Sequence, residues 1–349
     1  DVTYNTDFAQ VEADEAQINL TRFSLFFPEK REFFLENPGL FAFGGVAVNS
    51  GQVTSDAPML FYSRRIGLNQ GRVVPLTAGG RLTGRVGRYS VGLMNIQAGE
   101  EAVSGTRATN FSVVRLKRDI LRRSSIGVIA TGRSVAELGG GRNVAYGLDG
   151  TFGFYNNLSI NTYWARTDTE GVRGRDKSYR AQLDYSADRY GVELEHLAIG
   201  NEFNPEVGFL RRRDIRRSYA KLRFSPRTKS NPWVRRFSYT GSLAYVENMA
   251  GRLDTRERLG EFAAELQNSD RAYVTYQEKT RYSSQDPKSK DFHFEIGPKS
   301  VITFPSFQRT FIAVVEPKPN GRSWVPSGSS NSGGTAGAGS VLCVVWAPT

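Results

Sequence analysis

The chain has 349 residues, is 39% hydrophobic and 23% charged, and carries a net charge of +11. That length suits one large or two ordinary domains. No run of about 20 apolar residues occurs, which excludes a transmembrane helix. The single cysteine, Cys343, excludes an internal disulfide framework and a cysteine-based zinc site. High glycine (36), 22 Phe and 15 Tyr, with only 3 Met, lean towards an all-β chain.

The chain opens on "DVTYNTDF" without an initiator Met, which reads as an excerpt of a longer protein with any export signal upstream. Residues 1–60 hold nine acids and three bases, a net of −6, so the rest of the +11 chain is +17. An acidic N-terminal segment set against a basic remainder is the expectation. A nucleic-acid partner is set aside, because the arginines are scattered along strand-like stretches instead of clustered on one helix or loop. Within the segment, "LTRFSLFFPEKREFFLE" (Leu20–Glu36) is at once aromatic and charged.

From about Gly79 the dominant period is two. Val144, Tyr146, Leu148, Phe152 and Phe154 fall on one face; Ala145, Gly147, Asp149, Thr151 and Gly153 fall on the other. Leu158, Ile160 and Trp164 oppose Ser159, Asn161 and Ala165, and the pattern continues through Tyr179–Tyr185 and Tyr190–Leu194. Such alternation marks strands with one apolar and one polar face. Short connections ("GRY", "YNN", "ADR") alternate with long polar ones ("GEEAVSGTRAT", "SVAELGGGRN", "TDTEGVRGRDK"). Roughly a dozen strands are predicted between Gly79 and Ser284. Tight turns at one end, long loops at the other and aromatics near strand ends fit an outer-membrane barrel. A soluble β-sandwich also alternates, but its buried face is mostly aliphatic. A propeller needs a repeat of about 40–50 residues, and none is present.

From about Pro305 the pattern fails. A Gly/Ser-rich run leads to "VLCVVWAPT", without the alternating final strand of a complete barrel. This reads as a truncated barrel or a tail foreign to the fold. The expected fold is therefore all-β: an antiparallel transmembrane-type β-barrel with an N-terminal plug-like or periplasmic segment. Its expected divisions are residues 1–60, 61–304 and 305–349.

Asp7–Asp14, Leu20–Glu36 and "FYSRRIG" (Phe61–Gly67) closely resemble the characteristic blocks of a bacterial family, domain of unknown function 5916. "FNPEVGFLRRRDIRRSYA" (Phe203–Ala220) is a second similar block, and the resemblance spans about residues 1–300. It implies an outer-membrane β-barrel, often preceded by a module similar to a family 9 carbohydrate-binding module. It implies no established activity; a hydrolase label circulates for some relatives, with no motif here to carry it.

On this reading Asp7, Glu12, Asp14, Glu15, Glu29, Glu32 and Glu36 fold inside or across the barrel mouth as a partial plug, together with Arg31. Arg64, Arg65, Arg211, Arg212, Arg213, Arg216 and Arg217 are the expected partners, since bidentate Arg–carboxylate pairs suit a dry-edged contact. A folded linker with solvated charges is the plainer alternative.

Other chemistry weighs less. Glu29, Glu32 and Glu36 could pair for glycoside hydrolysis, but salt bridges explain them better. His196 and His293 could serve a Ser–His hydrolase, but a lone strand histidine is more often structural, and two make a poor zinc site. "DTEGVRGRD" lacks calcium-loop spacing, and "GGGRN" lacks the lysine and helix of a phosphate loop. Tyr163, Trp164, Trp233, Tyr239 and Tyr245 could stack sugars, though interface anchoring suits most of them better.

The expected function is an outer-membrane β-barrel protein binding or importing a glycan or nutrient at the surface of a Gram-negative cell. A carbohydrate- or lipid-acting hydrolase and a soluble β-rich module are the alternatives. Outer-membrane lipid and carbohydrate are the implied partners; no cofactor, metal or catalytic residue is assigned.

Overall fold

The computed structural model describes residues 1–6, 24–46, 55–69, 72–103, 105–137, 141–229, 231–267, 271–281, 295–304, 309–314 and 343–347. Strand β1 is Val2–Thr6. A short helix, α1 (Glu32–Leu35), and 3-10 turns at Pro38–Phe41 and Ser63–Arg65 follow, then a two-residue hairpin of β2 (Leu68–Asn69) and β3 (Arg72–Val73). The long strands come next: β4 (Leu76–Val86), β5 (Tyr89–Ala98), β6 (Thr109–Leu121), β7 (Ser124–Arg133), β8 (Asn143–Phe154), β9 (Leu158–Thr169), β10 (Lys177–Ser186) and β11 (Tyr190–Ile199). β12 (Ile215–Phe224), β13 (Val234–Glu247), β14 (Leu253–Leu266) and β15 (Arg271–Arg281) complete the predicted dozen. β16 (Glu295–Phe304), β17 (Arg309–Val314) and β18 (Cys343–Ala347) extend the set.

The main sheet takes sixteen strands in chain order, β1 followed by β4 to β18. It is antiparallel, as hairpin succession requires. The all-β, antiparallel expectation holds, and the sheet is open as described. No pairing joins β1 to β18 among the described residues. Each of these edge strands has 5 residues, about half the length of a membrane-crossing strand. The tail expectation changes. β17 pairs with β18 through Thr310–Val314 and Cys343–Ala347; "VLCVVW" is continuously apolar, so no alternation announced that strand.

Tight and long connections alternate as far as β11, with turns at 87–88, 122–123, 155–157 and 187–189 against loops at 99–108, 134–142, 170–176 and 200–214. Gly87, at φ 59°, supplies the left-handed position of the first turn. The rhythm breaks at 225–233, where Pro226 and Pro232 enforce a longer excursion.

The chain divides into two compact units. The first comprises Asp1–Asp184, Glu195–Arg217 and Asn248–Ala250; the second comprises Tyr185–Leu194, Ser218–Glu247 and Gly251–Thr349. In the first, Val91, Leu116, Val128, Leu148 and Trp164 form one cross-strand row over β5–β9. Leu116, Val128, Leu148 and Trp164 are 39%, 42%, 57% and 37% exposed. One residue along, Gly92, Arg115, Ile129, Gly147 and Ala165 form the row on the opposite face. That row is buried. Because side chains alternate with period two, a slip of one residue would exchange the two rows.

The described part of the N-terminal segment covers the buried row. Phe41 lies on Gly92, where a Cβ would stand 2.9 Å from its ring, and Phe43 lies on Gly147, where a Cβ would stand 2.6 Å away. Phe41 also packs on Phe61 at 5.0 Å and Phe43 on Tyr163 at 5.2 Å between ring centres. Each buried phenylalanine contributes roughly 1.5–3 kcal/mol. In the second unit the exposed face is again aromatic: Phe224, Tyr239, Phe262 and Tyr276 are exposed, and Tyr239 meets Phe262 across the β13–β14 pair at 5.1 Å.

Candidate functional site

Residues 24–31 run extended to the start of α1. In extended chain, side chains two apart share a side, so Glu29 and Arg31 face each other. Arg31 donates from Nε to Glu29 Oε1 at 2.8 Å and from Nη2 to Oε2 at 2.7 Å. Its remaining donors reach the Ile66 carbonyl at 2.6 Å and the Ser63 carbonyl at 2.8 Å. One guanidinium thus ties the opening segment to the Ser63–Arg65 turn. It also lies 4.3 Å from the centre of the Phe34 ring. Phe26 packs on Tyr62 and Phe209 at 5.1 and 5.3 Å, and the Tyr62 hydroxyl donates to the Phe27 carbonyl at 2.6 Å. Dense aromatics beside dense charge are thereby explained: rings and guanidiniums stack, and the charges bind backbone or one another.

Burial alone would raise the Glu29 carboxyl. The hydrogen bonds from Arg31 and its charge, joined by Ser63 and the Arg31 N–H, outweigh that and hold it below its ordinary value of 4.5. A depressed carboxylate stabilises the fold above its unfolded pKa, and that stability is lost as pH falls through the folded value. Hydrogen exchange across residues 24–46 is therefore expected to accelerate on acidification below about pH 4.5, and to do so less in Glu29→Gln. Identical acid profiles for the two proteins would contradict this.

Charged residues also join the segment to the sheet. Arg81, on β4, donates to Glu36 Oε2 at 2.5 Å, to the Glu36 carbonyl at 2.7 Å and to Asp1 at 2.8 Å. Arg115 on β6 and Asp149 on β8 form a bidentate pair at 2.6 and 2.9 Å. Their side chains are 2% and 8% exposed. Asp149 also accepts from the Gly44 N–H at 3.1 Å, and Arg180 donates to the Gly44 carbonyl at 3.3 Å. Arg180 and Arg217 share Glu195, at 2.7 and 2.6 Å. Gly44 must be glycine: its φ is +62°, and a Cβ there would stand 2.5 Å from the Tyr163 ring.

The predicted site residues fall as follows. Glu29 and Arg31 pair with each other within the segment. Glu32 opens α1 and is exposed. Arg64 donates to the Pro28 carbonyl at 3.3 Å, and Arg65 to the Gly208 carbonyl at 3.2 Å with Glu137 at 4.0 Å. Arg211 and Arg212 reach Asp56 at 3.7 and 3.5 Å, and Arg213 reaches Asn204 at 2.8 Å. Asp7, Glu12, Asp14, Glu15 and His293 lie outside the described residues. Of the predicted carboxylates with described contacts, Glu36 is the one that meets a strand arginine, and that arginine, Arg81, was not among the expected partners.

Of the aromatics, Tyr163 faces inward, bonded to Ser178 at 3.0 Å, whereas Trp164, Trp233, Tyr239 and Tyr245 are exposed. The His196 ring lies tilted 6.1 Å from that of Tyr179. Arg166 holds Asp176 of the "DTEGVRGRD" loop at 2.8 Å. Among the described residues no cluster of three or more His, Cys, Asp or Glu side chains is placed to hold a metal.

Two separated blocks meet here. Tyr62 N–H donates to the Val207 carbonyl at 2.9 Å, and Met59 and Phe209 exchange backbone bonds at 3.0 and 2.9 Å. A Cβ on Gly208 would stand 2.1 Å from the Met59 carbonyl, so only glycine admits this approach. "FYSRRIG" is thus seated on "FNPEVGF" from the 200–214 loop.

Residues 1–75 are a DUF5916 domain, a domain of unknown function. No curated protein and no solved structure matches the chain. The DUF5916 domain ends at the last residue before β4, so its described part includes β1, the β2–β3 pair and the aromatic segment that covers the sheet's buried row.

Proposed function

We propose that the chain forms the wall and internal plug of a bacterial outer-membrane β-barrel, with the DUF5916 domain narrowing the lumen through which a glycan or nutrient is bound or imported. The observation that carries this reading is the pairing of an exposed apolar face with a covered face rich in charge. The exposed row is apolar (Leu116, Val128, Leu148, Trp164), while the covered face, among apolar residues such as Met94, Ile96, Val113 and Ile129, holds Arg81, Arg115, Asp149, Arg180 and Glu195. A β-fold built for water would not leave such a row exposed while burying so many charges. In lipid, unpaired strand edges cost several kcal/mol per group, so we propose that the sheet closes when embedded. A hydrolase finds less support. Glu29 is held ionised by Arg31, which unfits it as a general acid at neutral pH.

Refolding into phosphatidylcholine vesicles tests the proposal. The expected result is a protease-resistant, heat-modifiable sheet of low conductance, with higher conductance after deletion of residues 24–46. A chain that stays monodisperse in detergent-free buffer and remains protease-accessible beside vesicles would overturn it.

A further inference from the structure

Arg118 stands on the outward face of β6, two and four residues beyond Leu116 and Val114, at the tight-turn end. It is exposed, and its guanidinium lies 5.2 Å from the ring centre of Tyr89, its cross-strand neighbour. Residues 85–90 and 117–124 carry Lys117, Arg118 and four further arginines against one carboxylate, Asp119. Asp119 is occupied by Arg85 at 2.5 Å. Beside Arg118 runs an outward groove of about 580 Å³ between Leu116, Ile126, Val128, Leu148, Phe152 and Trp164.

The second unit repeats the arrangement. Arg189, in the 187–189 turn, lies 5.5 and 5.4 Å from the rings of Tyr190 and Phe224. Its neighbour Asp188 is occupied by Arg227 at 2.8 Å. A groove of about 770 Å³ opens from those same two rings and is lined further by Leu222, Arg223, Tyr239 and Phe262.

We propose that each groove binds an anionic phospholipid, its acyl chain along the apolar residues and its phosphate on Arg118 or Arg189. The inference rests on the reading that this face meets lipid. A guanidinium at the mouth of an apolar groove requires an anion once water is displaced, and its stem and ring partner hold it at headgroup level. The local carboxylates are already paired, so the anion comes from outside the chain. In an outer-membrane barrel tight turns are periplasmic, which assigns the sites to the periplasmic leaflet.

The test uses the full chain in phosphatidylcholine vesicles containing a minor fraction of phosphatidylglycerol, with retained lipid counted by native mass spectrometry after mild detergent extraction. The expected result is phosphatidylglycerol enriched over phosphatidylcholine, with about fivefold less enrichment per site in Arg118→Gln and Arg189→Gln. Arg118→Lys, which keeps the charge, is expected to retain most of it. Equal enrichment in wild type and both glutamine variants, with insertion intact, overturns the lipid sites and leaves the barrel standing. Complete displacement by inorganic phosphate points to a free-anion site and also overturns the lipid assignment. Failure of the wild type to insert overturns barrel and sites together.

Discussion

Asp149→Ala is expected to loosen the DUF5916 domain from the sheet. The substitution leaves Arg115, only 2% exposed, without its bidentate partner, and leaves the Gly44 N–H without its acceptor. Removing one partner of a buried pair costs about 3–5 kcal/mol. That is enough to populate an opened segment if the contact is as local as Gly44 suggests. Two readouts should move together: hydrogen exchange across residues 36–46 should rise, and vesicle conductance should rise with it. Asp149→Asn should behave more mildly, because an amide oxygen still accepts from Gly44. Replacing both partners, Arg115→Met with Asp149→Leu, should recover part of the loss, since apolar substitutes remove the stranded charge. Unchanged exchange and conductance in Asp149→Ala would remove this pair from the attachment of the proposed plug.

Arg31→Ala is expected to cost a similar amount, about 3–5 kcal/mol, but at a different place. Glu29 would remain buried as an unpartnered carboxylate, and the Ser63 and Ile66 carbonyls would each lose a donor. Arg31→Lys should rescue little, because an ammonium cannot span three acceptors in the planar fork that arginine supplies. Thermal unfolding in detergent micelles checks this, with Glu29→Gln/Arg31→Ala as the companion that removes the stranded charge. If Arg31→Ala melts within about 1 °C of wild type, the tie between the segment and the Ser63–Arg65 turn is unimportant to stability.

The strands were legible because a period of two survives in residues such as Val144–Phe154, where every outward position but Gly150 is large or branched and every inward one small or polar. The tight turns were legible for the same chain from their brevity. The ion pairs were less so. Glu29 and Arg31 looked like partners for a distant basic surface, yet extended backbone sets positions two apart on one side, and they satisfy each other first. Arg115, Asp149 and Arg180 gave no sign of their contacts, because nothing in β6, β8 or β10 says that a loop will cover them. A signal was present: Gly92 and Gly147 are inward glycines without any turn requirement, and both mark where a phenylalanine of the segment must sit. The long apolar run of β18 carried no period at all, so its pairing with β17 could not be anticipated.

The seating of Met59 and Tyr62 on Val207 and Phe209 dictates an order of assembly. Residues 59–62 receive their backbone contacts with residues 207–209 only after some 150 more residues have emerged. Until then Phe26 lacks the Phe209 ring on which it packs. Contacts so distant in sequence slow folding and prolong exposure of sticky surface. Such a layout favours a holding chaperone, and folding should finish with the docking of residues 59–62 on residues 207–209.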